Sequence, residues 1–352
     1  MSTSGPAAIT ATVARNHLAS LCKPPGSLGQ LESLAADLCV MQNTLEPQTR
    51  PRHLTVFAAD HGVTADGVSA WDSSVTRAVV ELMQQRRTAS GVLATTTDTT
   101  FEVVDIGLQT PCSPVEGGCL LDLASRRGTA NLANEPAMTA SEFDYAWQVG
   151  RDRADAAIQS GARVLLAGEM GIGNTTAASC LTAKLTGLSV HNVVGLGAGL
   201  PEEALSHKRG VVSRALSRIE TRTDPAEVGR EVGGLEIAAM AGFYTEAARQ
   251  QTVVVLDGFI ATAAALLAAE INPGVRDVFI AAHRSKERGH YVAVSYLGLT
   301  PLLALDMGLG EGTGALAALP LLDMAAAVTS NMATLDDLTF DAGPDNSKVP
   351  AD

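Results

Sequence analysis

The sequence predicts an α/β protein: an open parallel sheet with helices on both faces, plus a small helical domain built from both chain ends. Three observations carry this. Short Val/Ile/Leu-rich runs recur from Pro51 onward and lack period-two alternation, as in strands buried on both faces. Helical stretches separate them, giving a βαβα order. Both ends of the chain carry helical patterning without strands.

The elements follow in order. Residues 1–47 read as two helices broken at Pro24-Pro25. Ser27 and Gln30 have capping-box spacing, and Leu28, Leu31, Leu34 and Leu38 follow at helical intervals. The expected strands are LTVFAA (54–59), FEVVDIG (101–107), RVLLAG (163–168), NVVGLG (192–197), TVVVLDG (252–258) and DVFIAA (277–282). Between them a helix is expected from about Ser73 to Leu93. Another starts at Thr139, with Glu142 three residues on, and stops near Gly161. A third begins at Pro201, an allowed first helical position. The segment 299–335 reads as a helix, a glycine-rich loop and a second helix. The expected division is 48–298 for the large domain, 1–47 with 299–339 for the small one, and a polar, disordered tail at 340–352.

Composition narrows the function. The 352 residues are 46% hydrophobic and 18% charged, so a large core is available. The net charge is −13, with no basic run, which argues against nucleic acid or an anionic membrane as partner. An anionic substrate must then be held locally, by loop amides or a single Lys. Five scattered cysteines without a CxxC pair point to reduced thiols and a cytoplasmic setting. The N-terminus lacks signal-peptide character, and the longest apolar run is too short for the ~20 residues of a membrane span.

In an open α/β sheet ligands bind beyond the carboxyl ends of the strands. The chain punctuates those ends with Asp60-His61-Gly62, GEMGIGNTT (168–176), GLGAG (195–199), DGF (257–259) and HRSKERGH (283–290). GEMGIGNTT is the best phosphate candidate: Gly171 and Gly173 let backbone approach an anion, and the amides of a following helix point at it. It is neither a P-loop nor GxGxxG, and a plain strand-to-helix turn is the other reading. Glu169 either meets a ribose hydroxyl or base, or caps the loop. Lys208 either neutralises a phosphate or lies solvated on a helix. His283 and His290 are seven apart, not a standard ligand spacing, so no metal is expected. Glu311 stands between Gly310 and Gly312 in LDMGLGEGTGA (305–315). Set against apolar walls its pKa would rise, which suits a general base; a solvated loop Glu is the alternative.

These loops, taken in series with KPPGSLGQLE (23–32), AADHGV (58–63), GTANLANEPAMT (128–139), the S-x-E-x-G-H of Ser285 to His290, and LGLTPLLALDMGLGEGTGA (297–315), resemble the nicotinate-nucleotide–dimethylbenzimidazole phosphoribosyltransferase family. The resemblance covers most of the chain, to about residue 330. It implies a Rossmann-like large domain, a small helical domain and a homodimer. The implied reaction moves ribose 5-phosphate from nicotinate mononucleotide to 5,6-dimethylbenzimidazole, with no cofactor and no metal. By the same resemblance Glu311 matches the catalytic base, Glu169 and Lys208 lie near the reacting sugar and phosphate, and the substrate-binding set comprises Gly171, Ile172, Gly173, Asn174, Gly197, Ser285 and Gly289. Two segments depart from the family pattern, Trp71-Asp72 and QQRRTASGVLA (84–94). Both fall where the aromatic acceptor would sit, and Trp71 is expected to line that pocket. A relative using a purine or phenol acceptor, or a non-catalytic nucleotide-binding protein, are the alternative functions.

Overall fold

The structure is a computed structural model that describes residues 8–197 and 199–338. The expected tail at 340–352 lies outside the described residues. Contacts divide the chain into two units, residues 1–48 with 321–352, and 49–320.

In the first unit α1 (Ala11–Ser20) and α2 (Gln30–Met41) flank the Pro24-Pro25 break. The expected Ser27 capping box is not formed. Gly29 is the N-cap and makes no side-chain cap, and Glu32 instead reaches back to accept from the amides of Gly26 (3.1 Å) and Leu28 (3.0 Å). The Glu32 carboxylate thus satisfies the turn before the helix.

The second unit begins with β1 (Arg52–Ala59), followed by α3 (Ser74–Met83), α4 (Ala89–Thr96), β2 (Thr100–Gly107), β3 (Leu120–Asp122), α5 (Ala140–Gln159), β4 (Val164–Met170) and α6 (Asn174–Thr186). Then come α7 (Val190–Val193), α8 (Leu205–Arg218), α9 (Pro225–Val232), α10 (Leu235–Arg249), β5 (Val253–Leu256), α11 (Phe259–Ile271), β6 (Phe279–Ala281) and α12 (Arg288–Leu297). The helix α13 (Thr313–Asn331) starts in this unit and ends in the other.

The six strands pair in parallel in the order β3-β2-β1-β4-β5-β6. The order reverses between β1 and β4, so a crevice opens there beyond the strand ends. Every residue of β1 is buried, which requires cover on both faces. Small residues permit that cover: a Cβ on Gly150 of α5 would strike the Ala239 carbonyl of α10, and one on Gly242 would strike the Trp147 carbonyl. The expected capping box at α5 is present, with Glu142 N–H to Thr139 Oγ1 at 3.3 Å and Thr139 N–H to Glu142 Oε2 at 2.7 Å.

Several further sequence expectations need correction. NVVGLG is not a strand; Val190–Val193 is a helical turn that runs into the glycine loop. Val193 and Val194 are apolar because they are buried, and burial alone does not separate a strand from a helix end. The helix expected over Ser73–Leu93 is two helices, with Gln84–Arg87 turning the chain and Thr88 capping α4. The helix expected at Pro201 begins at Leu205, after a 3₁₀ turn. No helix precedes the glycine loop within 299–312. Leu302 and Leu303 donate to the carbonyls of Ala281 and Ala282, Arg284 donates to Leu303 and Lys286 to Met307, so this stretch runs along the end of β6. It clusters with the large unit up to Pro320, whereas the division expected from sequence lies at 298. Pro320 sits inside α13. That helix is long and apolar enough to cross a membrane by length and composition alone, and Ala315, Leu316, Ala318 and Leu319 in it are buried.

Candidate active site

A cavity of about 230 Å³ opens beyond the carboxyl ends of β4, β5 and β6. Of the residues singled out in the sequence, Trp71, Glu169, Gly171, Ile172, Asn174, Gly197, Ser285 and Glu311 line it. Gly173, Lys208 and Gly289 do not. Gly173 has φ +95° and is the N-cap of α6, where it turns the chain into the helix. Gly289 lies in α12, and a Cβ there would run into the Phe259 ring, which itself lines the cavity. Lys208 reaches the cavity wall from behind. Its Nζ donates to Thr175 Oγ1 at 2.8 Å and would lie 3.2 Å from a Cβ on Gly197.

Lys208 is 1% exposed and is held through the hydroxyl of Thr175. Burial lowers its pKa to about 8, against the opposing charge of Glu287. The ammonium can donate three hydrogen bonds and gives one to Thr175, with the Glu287 charge favouring it; an anion placed between Gly197 and Thr175 would add a further acceptor. Gly195, Leu196, Gly197 and Gly199 continue into a second cavity of about 270 Å³, which Lys286 and Arg288 also line.

The other end of the cavity is acidic. Glu169, at the end of β4, is 6% exposed, and its Oε2 accepts from the side-chain amide of Asn174. Burial, reinforced by the charges of Asp257 and Glu236, raises its pKa to about 8. Glu311 is equally buried, and its Oε2 accepts from Ser90 Oγ of α4 at 3.0 Å. Burial raises its pKa too, while Ser90 works in the opposite direction. Glu311 has φ +62°, a left-handed conformation that costs a Glu roughly 1–2 kcal/mol, between Gly310 at +89° and Gly312 at +80°. Asp257, just past β5, accepts from the amides of Gly312 (3.1 Å), Gly314 (2.7 Å) and Ala315 (3.1 Å), with His283 Nε2 3.6 Å away.

An apolar wall joins the two ends. Trp71, Val75 and Val79 are spaced four apart along α3 and its lead-in, with Met170, Ile172 and Leu309 also lining the cavity. Asp72 does not join this wall; it accepts from Ser74 N–H at 2.9 Å and opens α3. Segment 84–94 contributes Ser90 through its contact with Glu311, a partner that no local pattern in the sequence marks.

Behind the glycine loop His61 and Glu236 form a fully buried pair at 2.7 Å. Burial disfavours the charged imidazole, but Glu236 and Asp60 outweigh it and the His61 pKa rises. His283 and His290 stack at 6.0 Å, and His290 Nδ1 accepts from Ser285 N–H at 3.1 Å. Among the described residues no group of three or more His, Cys, Asp or Glu is arranged to hold a metal ion.

A phosphoribosyltransferase family model matches residues 4–339. The chain is 44% identical over 339 residues to the nicotinate-nucleotide–dimethylbenzimidazole phosphoribosyltransferase of Chromobacterium violaceum, covering 96% of this chain and 98% of that one. It is 46% identical over 330 residues to the Thermus thermophilus protein of the same name, covering 94% and 98%. A crystal structure of the Thermus thermophilus protein superposes with a TM-score of 0.88 at 46% identity, covering 93% of this chain and 96% of that chain.

Proposed function

Because this chain belongs to the nicotinate-nucleotide–dimethylbenzimidazole phosphoribosyltransferase family, we propose that its cavity transfers ribose 5-phosphate from nicotinate mononucleotide to 5,6-dimethylbenzimidazole. The products are nicotinate and α-ribazole 5′-phosphate, the lower-ligand nucleotide of cobalamin. One observation carries the residue assignment: a single cavity is lined both by Thr175 and Gly197, which the buried Lys208 backs, and by the buried carboxylate of Glu311.

The phosphate binds at the Lys208 end, against Gly197, Thr175 and the amides that open α6. The acceptor ring lies along Trp71, Val75 and Val79, an apolar wall that suits a dialkylated benzimidazole better than a purine with its exocyclic amine. Glu169 and Asn174 line the same cavity beside the Glu311 loop, and the ribose with its leaving pyridinium is assigned to them.

The acceptor's unprotonated ring nitrogen attacks the anomeric carbon. The bond to the pyridinium nitrogen breaks, its electron pair neutralises that nitrogen, and nicotinate leaves. Positive charge builds on the acceptor ring, and its other nitrogen gives its proton to the Glu311 carboxylate. A single displacement inverts the anomeric centre, in keeping with an α product from a β nucleotide. The pyridinium is already a good leaving group, so orientation, phosphate binding and one base suffice. The same reading carries a homodimer and a cytoplasmic setting, and sedimentation velocity tests the first.

The test is nicotinate release. Purified protein with nicotinate mononucleotide and 5,6-dimethylbenzimidazole should yield nicotinate and α-ribazole 5′-phosphate one for one. Adenine and phenol should serve less well at equal concentration. Release that proceeds equally without acceptor, or none with it, overturns the reading.

A further inference from the structure

Glu311 sits in a tight turn between Gly310 and Thr313 that is anchored to the sheet from a distant part of the chain. A Glu at φ +62° persists only where its surroundings over-determine it. Three contacts fix the flanks. A Cβ on Gly310 would collide with Glu169 Oε1, one on Gly312 would meet Leu54, and one on Gly168 would collide with the Glu311 carbonyl. These set how close the loop comes to β4. The turn itself is closed by Thr313, whose N–H (3.0 Å) and hydroxyl (2.7 Å) both donate to the Gly310 carbonyl. What ties the C-terminal side of this turn to the sheet is the carboxylate of Asp257. Its Oδ2 takes the Gly312 N–H, and its Oδ1 takes those of Gly314 and Ala315. The Gly312 N–H belongs to the peptide unit that begins at the Glu311 carbonyl.

We propose that Asp257 is a positioning residue, which by accepting these three amide hydrogen bonds from the end of β5 holds Glu311 in the orientation from which it takes the acceptor's proton. The inference rests on Glu311 being the base. Asp257 touches no reacting atom; it acts through the loop. An ordinary helix cap comes from the residue just before the helix, and Asp257 is 55 or more residues from the amides it holds. It ties the loop and the start of α13 to the sheet whose β4 carries Glu169, so both carboxylates are referred to one rigid frame. Burial works against an ionised Asp257, but His283 and the amides outweigh it and lower its pKa, which keeps both oxygens as acceptors.

Asp257→Asn is the informative substitution. One amide oxygen can still accept from Gly314 and Ala315, while the NH2 group faces the Gly312 N–H, donor against donor. Turnover should fall roughly 10- to 100-fold, with KM for nicotinate mononucleotide within about threefold of wild type. The pH profile adds a readout that loss of packing would not move. The Asp257 charge raises the Glu311 pKa, so its removal should shift the acidic limb of turnover to lower pH. The other titratable groups in that neighbourhood are Glu169 of β4, Tyr244 of α10, His283 after β6 and His290 of α12, and Asn leaves each in place.

A double-mutant cycle separates this inference from the reading beneath it. In a Glu311→Gln background Asp257→Asn should cost less than about threefold more. Full turnover in Glu311→Gln overturns the reading itself. A large loss in Glu311→Gln with none in Asp257→Asn, or with both losses multiplying in the double variant, overturns the positioning role. Hydrogen exchange on the unaltered protein covers the case in which Asp257→Asn does not fold. The amides of Gly312, Gly314 and Ala315 should be protected on the scale of the core strands, and exchange at the rate of an open loop overturns the proposal.

Discussion

The two ends of the cavity solve opposite electrostatic problems under the same constraint. At the α8 end one cation, Lys208, is buried against the hydroxyl of Thr175. At the β4–β5 end three carboxylates, Glu169, Asp257 and Glu311, are buried together. Burial drives Lys208 and Glu169 toward neutrality, down to about 8 for the first and up to about 8 for the second. The ends differ in compensation. Every carboxylate at the acidic end has donors: Asn174 for Glu169, Ser90 for Glu311, three amides for Asp257. Lys208 has the Thr175 hydroxyl and the charge of Glu287. The acidic end holds its own geometry, and in the proposed function the substrate phosphate adds the further acceptor at the basic end.

The largest expected effect on binding breaks the basic end. Lys208→Met keeps most of the side-chain length without its charge, and mononucleotide affinity should fall by about 2–5 kcal/mol, roughly 30-fold to several thousand-fold. The ligand-free variant should melt above wild type, because a buried and poorly paired charge is gone. Calorimetric titration and a thermal melt check both signs together.

Next comes a change that disturbs the acidic end and spares the basic one. An Ala at Gly168 would place its Cβ 2.5 Å from the Glu311 carbonyl carbon and 2.7 Å from the Gly312 nitrogen. Stability should drop by about 1–3 kcal/mol. Turnover should fall up to about 100-fold, as for a base displaced by about 1 Å. Mononucleotide affinity should be retained, since Lys208 is untouched.

The two ends also separate by pH. Glu169 titrates near 8 in the folded protein against 4.5 as its ordinary value. The folded state therefore binds more protons between those values, and Glu169 makes stability fall as pH rises from about 4.5 to 8. Lys208 titrates near 8 against 10.5, so the unfolded state binds more protons there and stability recovers from about 8 to 10.5. Glu169→Gln should flatten the lower slope and leave the upper one, which melts from about pH 5 to 10 would show. The smallest effect belongs to the wall between the ends. Trp71 is half-exposed, and Trp71→Ala should raise the KM for 5,6-dimethylbenzimidazole by roughly three- to tenfold while mononucleotide KM stays fixed.

Much of the sheet was legible because buried parallel strands leave continuous apolar runs, and because loops at strand ends need glycine. That signal found β1, β2, β4, β5 and β6, and the loops holding Glu169 and Glu311. It misread NVVGLG, whose valines are buried at a helix end, and it missed β3, whose three residues are too short and too exposed for a pattern. Single carboxylates in glycine loops stood out, but their supports did not. Ser90 is 221 positions from Glu311, and Thr175 is 33 from Lys208. Nothing local marks such partners; they are paired by the fold. Asp257 was visible as a strand-end residue, yet its hold on Gly312 and Gly314 depends on how the chain returns from β6.

The most direct measurement is turnover and mononucleotide binding in Glu311→Gln, with folding checked by a thermal melt. The shape of the side chain is kept and the base is lost. Turnover should fall about 10²–10⁴-fold, recovering in part at high pH where hydroxide can take the proton. Mononucleotide affinity, set at the Lys208 end, should stay within about threefold of wild type. Near-wild-type turnover in a folded Glu311→Gln, or a loss of mononucleotide affinity that matches the loss of turnover, would contradict the division of labour between the two ends.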